Sequence, residues 1–174
     1  LGVAHYLLVG SRYDRPWIKY AFITIDIALL SAAVALLPPE PSTDLPQIMI
    51  FRFGIFPVYF LLLGVAAFSF SPGLLLWTGI AGAVGWLSAF YWVRHGMERL
   101  IEWADMPDQP TPQQFLDIFL DTDFVATGTR VQEAAIFLLV AILIAIVMRR
   151  ARQTVRRQLE AERETTVISQ MFGR

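Results

Sequence analysis

From Val131 to Phe172 the chain contains neither proline nor glycine, so nothing in that stretch stops an α-helix once it has started. At 1.5 Å per residue such a rod is roughly 60 Å long, about twice the ~30 Å thickness of a bilayer's hydrocarbon core. Its first part, VQEAAIFLLVAILIAIVM, is almost wholly apolar, and its second, RRARQTVRRQLEAERETTVISQMF, is densely charged. One half of the rod suits lipid and the other half suits water, so the sequence predicts a span that continues into a projecting stalk.

Three further stretches are apolar over about the 20 residues that a helical crossing needs: Ile18 to Leu37, Ile48 to Phe70 and Leu74 to Val93, with Val131 to Met148 as the fourth. Charged residues make up 17% of the 174 residues, below the roughly 25% of soluble globular chains. Helices satisfy their backbone groups internally, which open strands in lipid do not. The expected fold is therefore all-α, a polytopic transmembrane bundle over residues 1–148 with a cytoplasmic stalk or coupling helix over 149–174. LGVAHYLLVG, at the start, has no basic flank and reads as the tail of another membrane segment, so the chain is expected to be a fragment of a six-helix region.

Charge sets an expected orientation. Arg12, Arg15 and Lys19 precede the first span and Glu40 and Asp44 follow it, while Arg149, Arg150, Arg152, Arg156 and Arg157 follow the last. Both basic clusters belong in the cytoplasm by the positive-inside rule. Between the second and third spans stands only FSPG, a tight hairpin in which Pro72 can open the next helix. Arg94 and Arg99, at the other end, run mildly against this orientation. The largest extracytoplasmic piece is 98–130, and within it TPQQFLDIFLD predicts a short amphipathic helix: Thr111 caps it, Pro112 takes the first position and Gln114 completes a capping box.

The net charge of −1 and the lack of a basic stripe outside the helix ends exclude nucleic acid as a partner. With no cysteine there is no disulfide and no thiolate chemistry. No paired nucleophile and base, phosphate loop or metal-ligand set is visible, and His5 and His95 are far apart, so the chain is expected to hold no catalytic, cofactor or metal site. The two carboxylates of LDTDF read as a solvated helix end.

Asp26 lies about 12 Å into the first span. An ionisable residue there faces protein, where it serves either interhelical packing or intramembrane sensing. Gly79 with Ala83, and Gly85 with Ala89, form small-xxx-small pairs that let helices approach closely, within one chain or between two. Trp17, Tyr91, Trp92 and Trp103 read as interface anchors. Arg52 and Glu133 sit near the ends of spans, where snorkelling toward water is the simple account and a pair across the bundle the other. In the stalk, Met148, Arg152, Val155, Leu159, Glu162, Thr166 and Ser169 follow heptad spacing. Val155 and Leu159 are its strong members, and with Glu162, Thr166 and Ser169 they are the expected coupling residues of a parallel homodimer. A solvated helix held by pairs such as Arg156 with Glu160 is the plainer alternative.

A multi-span region, a helical stalk and the closing segment ISQMFGR together resemble the membrane-anchored bacterial class III adenylate cyclases. That resemblance implies an anchoring, dimerising and signal-receiving region in the bacterial inner membrane, with an unidentified ligand or membrane partner. It also implies a cyclase domain after Arg174 that converts ATP to cyclic AMP and pyrophosphate with Mg or Mn. The family's catalytic residues all belong to that later domain, so none is carried onto this chain. The same arrangement also fits the sensor of a histidine kinase or diguanylate cyclase, or a transport or structural membrane protein.

Overall fold

The computed structural model describes residues 16–37 and 45–172, with side chains for 17–37 and 45–160. The expectations resting on residues 1–15 and 38–44, including LGVAHYLLVG, His5, Arg12, Arg15, Glu40 and Asp44, lie outside the described residues. So do the side chains of Glu162, Thr166 and Ser169.

The described chain is helical: α1 (Pro16–Leu36), a 3-10 helix (Gln47–Phe51), α2 (Pro57–Phe68), α3 (Pro72–His95), a short 3-10 turn (Trp103–Asp105), α4 (Pro112–Leu120) and α5 (Thr127–Phe172). Among the described residues there is no strand, only a lone parallel bridge between Ile101 and Phe124. Trp17–Leu36, Pro72–His95 and Thr127–Glu160 are each long and apolar enough to cross a membrane.

α3 is the central element. It runs parallel to α1: the Tyr20 and Trp77 rings lie 6.2 Å apart, and further along Ile27 and Ser31 sit against Gly85. It runs antiparallel to α5, where Gly79 faces Ala141 and Gly82 faces the Phe137 ring. Phe137 is fully buried, so a side chain larger than hydrogen at Gly82 would meet a ring that has no room to move. Hydrogen bonds add register on the α1 side: the Trp77 indole N–H donates to Thr24 Oγ1 at 2.9 Å, and Thr24 donates to the Tyr20 carbonyl at 2.7 Å.

The second expected span is corrected by the structure. Ile48 to Phe70 is not one helix but a 3-10 turn, a loop and the 12-residue α2, which at 1.5 Å per residue is only about 18 Å long. Gly54, at φ +69°, takes a left-handed conformation that ends the first piece, and Pro57 opens the second. The path still traverses the bundle, since Ile48 lies by Ala35 and Val93 whereas Phe70 lies by Ile144 and Met148. Irregular backbone of this kind is tolerated where protein covers it, and Ile48, Phe51, Phe56, Tyr59, Leu63 and Ala66 are all buried. The rings of Phe51, Phe56 and the half-buried Phe60 meet Trp86 and Phe137 in one aromatic core: Phe51–Trp86 at 4.9 Å, Phe56–Trp86 at 4.8 Å and Phe60–Phe137 at 5.0 Å. Inside it, Ser31 Oγ and Tyr59 Oη share a buried 2.9 Å hydrogen bond that ties α1 to α2.

The hairpin and the amphipathic helix form as the sequence predicts. Ser71 caps α3, accepting from the Leu74 N–H, with Pro72 in its first turn. Thr111 and Gln114 complete the reciprocal capping box of α4. α5 is a single 46-residue helix, about 69 Å long, with no break at Met148.

Candidate functional site

The bundle has two unlike ends, named here the cap end, which carries residues 97–126, and the stalk end, from which α5 projects. The cap is pinned to the bundle by backbone: the Ile101 N–H donates to the Asp123 carbonyl at 3.1 Å, and the Val125 N–H donates to the Ile101 carbonyl at 2.9 Å. Over this ladder lies a ring cluster, with Trp103 against Phe124 at 4.8 Å and Phe115 stacked on Phe119 at 5.8 Å. α4 contributes Phe115 and Phe119 because its apolar residues recur three and four apart. All four of Phe115, Leu116, Phe119 and Leu120 keep an exposed surface, Leu120 the largest.

Beneath the rings is a polar layer in which every arginine has a partner. Arg52 donates to the Phe119 carbonyl at 3.1 Å, and its guanidinium lies 5.2 Å from the centre of the Phe124 ring. Arg94 pairs with Glu102 at 2.8 Å, and the same carboxylate oxygen accepts from Thr127 Oγ1 at 2.8 Å. Arg99 lies 3.9 Å from Asp121. Arg94 and Arg99 are thereby balanced by carboxylates of the cap itself.

Arg130, in the first turn of α5, is the most deeply set charge. Its side chain is 11% exposed, and Nη1 donates to both carboxylate oxygens of Glu133, at 2.9 and 3.0 Å. The same nitrogen donates to the Phe51 carbonyl at the end of the 3-10 helix. Arg130 Nε and the neighbouring Trp86 Nε1 are buried without a hydrogen-bond partner that meets normal geometry, although the Trp86 indole lies against the Glu133 carboxylate. One side chain thus joins the start of α5 to the broken second segment and, through Glu133, to α3. A buried ionic group left incompletely bonded is a point where two arrangements of a membrane bundle can differ in energy.

Beside this layer is a cleft of about 510 Å³ between Ala35, Gln47, Trp92, Met97, Arg99 and Asp123. Gln47 closes its α1 side, its amide donating to the Val34 carbonyl at 2.8 Å and to the Leu37 carbonyl. No group of three or more His, Cys, Asp or Glu among the described residues is arranged to hold a metal.

Asp26 is half-buried on α1 and makes no hydrogen bond or ion pair among the described residues. Gly79 and Ala89 are buried, Ala83 and Gly85 half-buried, and the close approaches of Gly79 and Gly85 are to α5 and α1 of the same chain. Val155 and Leu159 are each 54% exposed on the free part of α5. Arg52 and Glu133 do not pair with each other; the first turns to the cap and the second to Arg130. Arg130 itself and the Ser31–Tyr59 bond escape a reading of the sequence. The i, i+3 spacing of Arg130 and Glu133 is a signal that points to the former, whereas the latter joins residues with no shared periodicity.

Comparison with protein-family models, curated proteins and solved structures finds no match. The helices themselves define the molecule: it is an all-α, multi-span membrane protein with a long C-terminal helix.

Proposed function

We propose that this chain is the membrane anchor, dimerisation and signal-receiving module of a class III adenylate cyclase, with the conversion of ATP to cyclic AMP and pyrophosphate carried out by a domain beyond residue 174. The observation that supports this reading is the continuity of α5. One helix begins at the Arg130 layer, packs along α3, is exposed from Arg149 to Glu160 and continues as helix to Phe172. A rotation or tilt imposed at the cap end of a continuous helix is carried along its length, which a flexible linker would not allow.

On this reading two stalks pair in parallel through Val155 and Leu159, on the cytoplasmic side of the bacterial inner membrane. The positive-inside rule favours that side for the five arginines after Met148. The cap is the surface on which a signal acts. Only a ligand with different affinity for two stalk arrangements would alter the output, and the incompletely bonded Arg130 layer is where those arrangements would differ. Mg or Mn and the catalytic residues belong to the cyclase domain, and this chain contributes how its two copies meet.

The test is cyclic AMP production from ATP with Mg²⁺ or Mn²⁺ in membranes carrying the full-length parent, beside a form truncated after Arg174. Activity in the parent that is absent from the truncated form supports the proposal. A folded, dimeric parent that forms no cyclic AMP overturns it and returns the question to kinase, diguanylate cyclase or transport functions.

A further inference from the structure

At the stalk end a second cleft, of about 650 Å³, opens between α1, the start of α3 and α5. Its inner wall is apolar, formed by Leu76 of α3 with Ile142, Ala145 and Ile146 of α5, and its outer wall, also on α5, is cationic, formed by Arg149, Arg152 and Arg156. The lining changes character between Ile146 and Arg149, within about 5 Å along the helix axis. That step is where the apolar run of α5 ends.

The three arginines differ from those of the cap. Arg52, Arg94, Arg99 and Arg130 each have a carbonyl or carboxylate partner, whereas Arg149, Arg152 and Arg156 have no ion-pair partner among the described residues. From Arg149 to Leu159 the sequence holds five arginines and no acidic residue. A cleft that is greasy toward the membrane interior and carries unpaired guanidinium groups at its rim complements one class of molecule well: a lipid with acyl chains below and a negative phosphate above. A volume of this size accommodates a headgroup and the first part of a chain rather than a whole lipid.

We infer that this cleft is a binding site for an anionic phospholipid, whose phosphate is held by Arg149, Arg152 and Arg156. The inference stands independently of what enzyme, if any, follows the stalk. A neighbouring cleft of about 550 Å³, lined by Phe70, Ile144, Met148 and Val155, shares Arg152 and Arg156 with it, so Arg149 is the arginine that distinguishes the two. A lipid seated between α5 and the Ser71–Gly73 hairpin braces the stalk where it leaves the bundle. The angle of the stalk therefore depends on the lipid composition of that leaflet.

The full chain is reconstituted in vesicles of equal phosphatidylcholine and phosphatidylglycerol, and the lipids that stay bound on extraction are measured by native mass spectrometry. Phosphatidylglycerol is expected to be enriched on the native chain, and Arg149→Gln/Arg156→Gln to lower that enrichment roughly tenfold. Arg150→Gln/Arg157→Gln, which removes the same charge from residues that line neither cleft, is expected to keep it, and Arg149→Lys/Arg156→Lys to restore much of it. All four residues are exposed, and circular dichroism verifies that each variant stays helical. Equal losses in the two glutamine variants would show diffuse attraction to the basic stalk and overturn the site. Displacement of the bound lipid by millimolar inorganic phosphate would make it a free-phosphate site and overturn the lipid assignment.

Discussion

The two ends of this bundle handle positive charge in opposite ways. At the cap end four arginines are fixed by carbonyls, carboxylates and a ring face, and the network closes over a helix start. At the stalk end five arginines crowd one segment with no ion-pair partner among the described residues. Paired charge near a helix start ties that start to the segments around it. Unpaired charge at the exit of a span is available to whatever anionic surface lies there. The same residue type thus holds one end of α5 in place and leaves the other open to its surroundings.

The sharpest way to break this contrast is at Arg130. Replacing it by methionine removes one member of a buried pair and strands the Glu133 carboxylate and the Phe51 carbonyl, so a loss of about 3 kcal/mol is expected. Unfolding in detergent by denaturant titration would read it. Replacing both members, Arg130→Met with Glu133→Leu, should cost less than the single change, because no unpaired charge remains. If the single variant were as stable as the native chain, the cap clamp would not be what holds the broken second segment.

Between the two ends the comparison depends on α3 and α5 staying in close contact. Gly82→Ala pushes a methyl group into the buried Phe137 ring and should cost about 2 kcal/mol, visible as a lower melting temperature. Thr111→Ala at the cap removes the α4 cap and should cost about 1 kcal/mol. Faster hydrogen exchange confined to residues 112–120 is the expected readout, since α4 is held to the bundle by its ring cluster and by the Arg52 bond to the Phe119 carbonyl. The smallest effect belongs to the stalk: Arg149→Gln, at an exposed residue with no ion pair among the described residues, should change stability by less than about 0.5 kcal/mol. A larger loss there would mean that the stalk arginines are structural after all and that the two ends are alike.

Much of this architecture is legible in the sequence for simple reasons. Length and apolarity locate α1, α3 and α5, and the spacing of Thr111, Pro112 and Gln114 locates α4 to within a residue. The second segment is harder, because its apolar composition outweighs Gly54 and Pro57 in any average over a span, yet those two residues divide the helix. The ionic layer is harder still. Glu133 stands out as a charge in an apolar run, but its partner Arg130 lies at the margin of the span, where a basic residue passes as an interface anchor. The carbonyl of Phe51 becomes an acceptor only because the helix there is broken. What a sequence hides here is the consequence of one backbone irregularity for a distant side chain.

The central claim is that α5 carries an arrangement set at the cap end into a paired stalk. The chain has no native cysteine, so single cysteines can be placed at Val155, Leu159, Arg150 and Arg157 and oxidised in native membranes. The account predicts rapid disulfide-linked dimers through Val155 and Leu159, little linkage through Arg150 and Arg157, and a changed ratio between these pairs when Arg130→Met is added. Uniform linkage at all four positions, no linkage at any, or a pattern indifferent to Arg130 would contradict it.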